Sequence, residues 1–196
     1  MIKNEKKITI AFTWPWNTWK STVIKKLEKD LLLMLRKEWI EWNRINKGSI
    51  AIYPETARLV LDSINDEFDM WEFQNKISAL EDKRVTEIKN DMSDVLLLDR
   101  TSVDWVMYSV FNMMQGYPIW LNQNHIGEYD LIILFTEEFK RTNTEQFAHY
   151  NDERLVELFR MLMNYVYKGK VVEFANASEY DNILKTIESL YHNKNK

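Results

Sequence analysis

Ile8-Thr9-Ile10-Ala11-Phe12-Thr13-Trp14-Pro15-Trp16-Asn17-Thr18-Trp19-Lys20-Ser21-Thr22 is the stretch on which the reading of the whole chain turns. Ile8 to Phe12 form a short, apolar, partly β-branched run before a proline-containing turn, the pattern of a buried strand. From Lys20 to about Arg36, the residues Val23, Ile24, Leu27, Leu31, Leu32 and Leu35 recur at helical spacing. That periodicity predicts a helix with one stripe facing a core. Strand, turn and helix therefore open the chain.

The same alternation continues outward from this stretch. Ile50-Ala51-Ile52-Tyr53 is a second strand stopped by Pro54, and Glu55 to about Ile64 a second helix. Met70 to about Lys89 is a third, more polar helix. Val95 to Leu98 is a continuous apolar run ending at Asp99, which suits a strand covered on both faces. Val103 to Met114 is helical by pattern, and Tyr129 to Phe135 repeats the buried-strand signal. A polar, lid-like connection over about 136–152 precedes a helix from about Asp152 to Tyr167, a strand Val171–Phe174 and a helix Glu179–Tyr191. The expected architecture is a single α/β domain over residues 1–191. It has three layers, with a mainly parallel sheet of about five strands flanked by helices. The Lys/Asn-rich segment from His192 to Lys196 is expected to be a disordered tail. Met70, Met107, Met113, Met114, Met161 and Met163 fall in helical patterns and are expected in the core.

Composition narrows the function. The chain has no cysteine and three scattered histidines, His125, His149 and His192, which excludes disulfides, thiolate catalysis and cysteine-ligated zinc. A net charge of −4 gives no overall basic footprint for nucleic acid. A mean hydropathy of −0.43, no long apolar run and a charged start without a signal-peptide core point to a cytoplasmic protein with no membrane partner. One feature is anomalous: four glycines against eight tryptophans in 196 residues, where glycine alone usually accounts for about 7%.

The tryptophans explain the anomaly by their positions. A phosphate-cradling loop reads G-x-x-x-x-G-K-[ST] between a strand and a helix. Here Trp14 and Trp19 occupy its glycine positions, with Lys20-Ser21 in register. Glycine at 14, 16 and 19 would give G-P-G-N-T-G-K-S-T. The chemistry requires backbone N–H groups turned inward around phosphates, a helix N-terminus behind them, a lysine for the phosphate charge and a hydroxyl for Mg²⁺. Trp14, Pro15, Trp16, Asn17, Thr18, Trp19, Lys20, Ser21 and Thr22 are thus the candidate nucleotide-binding residues. An indole at Trp19 crowds such a cradle, and glycine is what permits the backbone its close approach. Two readings stand. A UGA codon read as glycine in the source would place Gly at 14, 16 and 19, whereas UGG codons there would make the tryptophans genuine and the loop blocked. Outside this context Lys20-Ser21 is also an ordinary helix start.

With these residues in view, the chain resembles the small P-loop ATPases carrying an AAA-domain label, of the nicotinamide-riboside-kinase type and related to deoxynucleoside and thymidylate kinases. Beyond the loop, the resemblance rests on Tyr53-Pro54-Glu55-Thr56-Ala57-Arg58, Phe73-Gln74, Asp99-Arg100-Thr101 with Asp104, Tyr129-Asp130-Leu131 and Arg141. Such proteins often have glycine where this chain has Trp105.

The resemblance implies ATP and Mg²⁺ as cofactors. Lys20 would neutralise phosphate charge, with Thr22 near the phosphates, and Ser21 and Asp99 would hold the metal. Glu55 would orient or deprotonate an acceptor hydroxyl. Arg58 and Arg100 would contact acceptor or phosphate, and Arg141 would close onto the transferring group. Each has a plainer alternative: a helix cap for Asp99, a first-turn helix acid for Glu55, and surface ion pairing for the arginines. The implied activity is transfer of phosphate from ATP to a small hydroxyl-bearing acceptor such as a nucleoside, or ATP hydrolysis. The rival is a non-catalytic fold relative serving as a binding or regulatory module because Trp14, Trp16 and Trp19 block the loop.

Overall fold

The structure, a computed structural model, describes residues 7–13, 20–42, 49–61, 63, 70–105, 107, 126–136 and 153–194. Five strands form one sheet: β1 (Ile8–Thr13), β2 (Ile50–Tyr53), β3 (Val95–Asp99), β4 (Leu131–Phe135) and β5 (Val171–Phe174). Their order is β2-β3-β1-β4-β5, and every neighbouring pair is parallel. The helices are α1 (Lys20–Trp42), α2 (Thr56–Leu61), α3 (Met70–Asn90), α4 (Glu153–Val166) and α5 (Tyr180–Lys194).

The apolar runs explain this order. β1, β3 and β4 are buried at every position, as central strands covered on both faces must be. β2 and β5, with partly exposed residues, are the edges. The α1 stripe is buried at Val23, Ile24, Leu27, Leu31 and Leu35, while Leu33 between them faces outward. Met107 and Met163 join the core. Met161 does not: it is 61% exposed, because two residues along a helix from Met163 points to nearly the opposite side.

Several boundaries move, for local reasons. α1 runs past Arg36 to Trp42, since residues 37–42 contain no helix breaker. α2 is shorter than Glu55–Ile64. Both the amide and the hydroxyl of Ser63 donate to the Val60 carbonyl, at 2.9 and 2.7 Å, which closes the helix in a tight turn. The expected disordered tail is corrected at its start: His192, Asn193 and Lys194 continue α5. Lys194 Nζ donates to Asp130 Oδ1 at 2.6 Å and to the Lys7 carbonyl at 2.7 Å, tying the helix end to the start of β1. The loop 14–19, the lid-like segment from 137 onward with Arg141, and most of the predicted helix 103–114 lie outside the described residues.

Candidate functional site

In open parallel sheets ligands bind beyond the carboxyl ends of the strands, where the chain changes direction across the sheet. Here the chain leaves β1 for β2 and β3 on one side, and later returns to β4 and β5 on the other. The carboxyl ends of β1, β2 and β3 carry Thr13, Tyr53 and Asp99, and the residues just beyond them include Glu55, Arg100 and Thr101.

α1 starts at Lys20, directly after the loop, and a helix start leaves its first N–H groups without partners inside the helix. Ser21 in its first turn donates its hydroxyl to Asp99 Oδ2 at 2.9 Å. Two residues 78 positions apart in sequence are thereby side by side. A hydroxyl and a carboxylate are hard oxygen donors of the kind Mg²⁺ takes together with phosphate oxygens and water, so the pair fits the metal implied by the sequence. The helix cap considered for Asp99 belongs to other residues. Thr101 accepts from the Val103 amide, and the Asp104 carboxylate accepts from the amide and the hydroxyl of Thr101. This is a capping-box arrangement, with Thr101 as the cap and Asp104 three residues on reaching back to its amide.

Arg100 has a φ of 93°. A side chain in this region carries a backbone strain of order 1–3 kcal/mol, tolerated where the surroundings over-determine it. The Arg100 amide donates to the Phe12 carbonyl at 2.9 Å, and its Nε donates to Glu55 Oε1 at 2.8 Å. Nη1 lies 3.5 Å from Asp104 Oδ2, whose carboxylate also accepts from the Thr13 hydroxyl at 2.7 Å. The Arg100 side chain is only 6% exposed and Glu55 16%, so this is no surface ion pair. Removing one member of such a buried pair typically costs about 3–5 kcal/mol, because the other charge is left behind.

Behind these groups lies Arg84 of α3. Its Nη1 donates to Thr56 Oγ1 and Glu81 Oε1, both at 3.1 Å. Its Nη2 is shared among the carbonyls of Tyr53, Asp99 and Arg100 at 3.4, 3.4 and 3.3 Å. Burial raises the Glu81 carboxyl above its ordinary range, against the pull of Arg84 and a bond from Thr56.

The structure thus brings together Ser21, Glu55, Asp99 and Arg100 of the expected site. Thr22 and Arg58 are exposed. The backbone of Lys20 begins α1, but its side chain, residues 14–19 and Arg141 are outside the described residues. Trp105 has helical backbone, so nothing in its own conformation requires glycine. Sequence reasoning missed Thr13, Glu81 and Arg84. A signal existed: Ile77, Glu81, Arg84 and Ile88 fall on one helical stripe, which places the two charged residues on the buried face.

No family model and no curated protein matches the chain. Solved structures do match its fold. Thymidylate kinase from Candida albicans aligns over 96% of this chain and 92% of its own, with a TM-score of 0.60 at 10% identity. Thymidylate kinase from Ehrlichia chaffeensis aligns over 95% and 98%, with a TM-score of 0.55 at 10% identity. The NadR protein, crystallised with NAD and AMP-PNP, aligns over 96% of this chain with a TM-score of 0.64 at 14% identity. This chain spans about half of NadR, 51% of its length. The five-stranded parallel sheet, its strand order and these alignments together establish a three-layer α/β fold shared with these structures.

Proposed function

We propose that the chain binds ATP with Mg²⁺ and transfers the γ-phosphoryl group to a small hydroxyl-bearing acceptor, such as a nucleoside. The observation that carries this reading is the Ser21–Asp99 contact at the end of β1, with the Glu55–Arg100 pair beyond the neighbouring strand ends. In this reading residues 1–191 act as one unit, with 136–152 as its lid. The loop 14–19 and the start of α1 cradle the phosphates, and Lys20 and Thr22 supply charge and a hydroxyl beside them. Ser21 and Asp99 would hold the metal, which would supply positive charge beside the phosphates.

Glu55 accepts the proton of the acceptor hydroxyl as its oxygen bonds to the γ-phosphorus. The bond from that phosphorus to the β–γ bridging oxygen breaks, and ADP leaves with the electron pair. Arg100 orients Glu55 and balances its charge, while Arg58 and Arg141 contact acceptor and phosphate from the rim. Catalysis of this kind is positioning and charge stabilisation, with little covalent work for the protein.

A second reading is favoured by one observation, the tryptophans at 14, 16 and 19. Read literally they block the loop, and the chain is then a binding module without transfer. Thermal unfolding with Mg-ATP tests the phosphate loop itself, comparing the chain as written with its Trp14→Gly/Trp16→Gly/Trp19→Gly variant, and the codons at 14, 16 and 19 then separate the two: UGA read as glycine gives the ATP-binding protein, UGG the blocked one. ATP at a hundred times its Kd stabilises by about 2.7 kcal/mol, which raises the melting temperature of a domain this size by roughly 5–10 °C. A shift in the glycine variant alone, followed by transfer of labelled γ-phosphate to a nucleoside, is the expected result. If neither protein shifts, ATP binding is ruled out and the binding-module reading takes its place.

A further inference from the structure

We infer that Arg84 is a positioning residue for the acceptor side of the site, an inference that rests on the phosphotransfer reading above. Arg84 is buried, 6% exposed, in the second half of α3. Its guanidinium gathers main-chain carbonyls from two adjacent strand ends: Tyr53, the last residue of β2, and Asp99 with Arg100 at the end of β3. Through Nη1 it also holds Thr56, the first residue of α2, and Glu81 one turn earlier on its own helix.

These contacts bracket the residues that carry the proposed chemistry. Glu55 lies between Tyr53 and Thr56, so the segment bearing it is pinned on both sides by one guanidinium. Asp99 and Arg100 are pinned at their own carbonyls. Arg100 has the φ of 93°, a conformation it keeps only while its surroundings hold it. Its amide is fixed to the Phe12 carbonyl of β1 on one side and its carbonyl to Arg84 on the other. Between these two restraints its side chain is aimed at Glu55.

A planar fork with five N–H donors suits this role, because it reaches several carbonyls at once in a fixed geometry. A lysine ammonium carries the same charge but not that geometry. Glu81 leaves the buried guanidinium with a countercharge at 3.1 Å. Arg84 thus sets where Glu55, Asp99 and Arg100 stand relative to one another without touching the reacting atoms.

The test reads Arg100 directly. In ¹⁵N-labelled full-length protein the Arg100 Nε–H resonance is identified by its disappearance in Arg100→Lys. Two further variants are made: Arg84→Lys, which keeps the charge, and Arg84→Met, which keeps much of the volume. Bonded to Glu55, the Arg100 Nε–H exchanges slowly with water. In folded Arg84→Lys its exchange is expected to accelerate by at least roughly tenfold, with its shift moving toward that of the solvent-exposed arginines. An Arg100 resonance unchanged in Arg84→Lys overturns the inference, even where Arg84→Met fails to fold.

A second arm uses transfer from Mg-ATP to thymidine in the Trp14→Gly/Trp16→Gly/Trp19→Gly background. Arg84→Lys should lower kcat per folded molecule by roughly tenfold or more while the KM for ATP stays within about twofold. Lowered thermal stability with kcat per folded molecule intact would mean a purely structural role and overturn the inference. No transfer to thymidine or any other nucleoside by the parent protein counts against the kinase reading alone, and the resonance arm still decides the role of Arg84.

Discussion

Asp99 carries the sharpest prediction at the scale of a single residue. Its Oδ2 accepts from the Ser21 hydroxyl at 2.9 Å, and a neutral amide oxygen can accept the same bond. Asp99→Asn therefore keeps the contact and the strand while removing the charge that a divalent cation needs. In the variant with glycine at 14, 16 and 19, it should melt within a few degrees of its parent. It should lose most of the Mg-ATP shift and fall at least about a hundredfold in phosphoryl transfer. A full Mg-ATP shift in the thermal scan would remove Asp99 from the metal site. The candidacy of this residue was legible in the sequence, because an acid closing a wholly apolar run marks a strand end. Its partner Ser21 was legible from the loop spacing. Their proximity was implied only by the resemblance, which gives both to one metal, since nothing in a linear pattern fixes which strand lies beside β1. Arg84 was half legible: its place on the stripe with Ile77 and Ile88 signals burial, but only the carbonyls of two other elements give it a role.

At the scale of elements, periodicity predicted the existence of the strands and helices well and their ends less well. The end of α5 shows why. Lys/Asn-rich composition argues against order at a terminus, but the last turn carries Lys194, whose charge suits a helix C-terminus. The lysine also has two fixed acceptors, the Lys7 carbonyl and Asp130. Partly exposed ion pairs of this type contribute up to about 1 kcal/mol. Lys194→Ala should therefore lower the melting temperature by roughly 2–4 °C in calorimetry. An unchanged midpoint would show that the tail contributes nothing, as its composition suggests. α3 gives the converse lesson. Its polar sequence reads as an exposed helix, yet Ile77, Glu81, Arg84, Val85 and Ile88 are all buried. α2 packs against it, and the ends of β2 and β3 meet it through Arg84.

At the scale of the whole molecule, the core holds hydroxyls whose ionisation opposes folding. Tyr129, wholly buried and bonded to the Ser102 amide at 2.7 Å, is pushed up to about 12, chiefly by burial. Tyr167, edge-on to it with ring centres 5.3 Å apart, is likewise raised by burial. In the unfolded chain both ionise near 10. Their contribution is thus intact below pH 10 and is lost as pH rises from there toward the folded values. The loss is about 1.4 kcal/mol per pH unit for each. Urea unfolding at a series of pH values should show stability falling steeply above about pH 10, and Tyr129→Phe should remove about one proton's worth of that slope. A slope unaltered in Tyr129→Phe would contradict the burial of this hydroxyl. Gly127 belongs to the same cluster. A Cβ there would come within 2.5 Å of the Tyr129 hydroxyl, so the backbone approaches this closely only without a side chain.

Among the described residues no helix is long and apolar enough to cross a membrane, in keeping with the charged composition. The sequence by itself determined the alternation of strand and helix, the buried character of β1, β3 and β4, and the candidacy of Lys20, Ser21, Glu55 and Asp99. The elements and the Lys20-Ser21 pair follow from local periodicity and from residue types at fixed spacing, the roles of Glu55 and Asp99 from the family resemblance. Only the tertiary structure decided the strand order, the meeting of Ser21 with Asp99 and of Arg100 with Glu55, and the stapling of two strand ends by Arg84. Each of these pairs residues distant in the chain, and the energy of burying a charge or satisfying a carbonyl depends on what the fold places beside it.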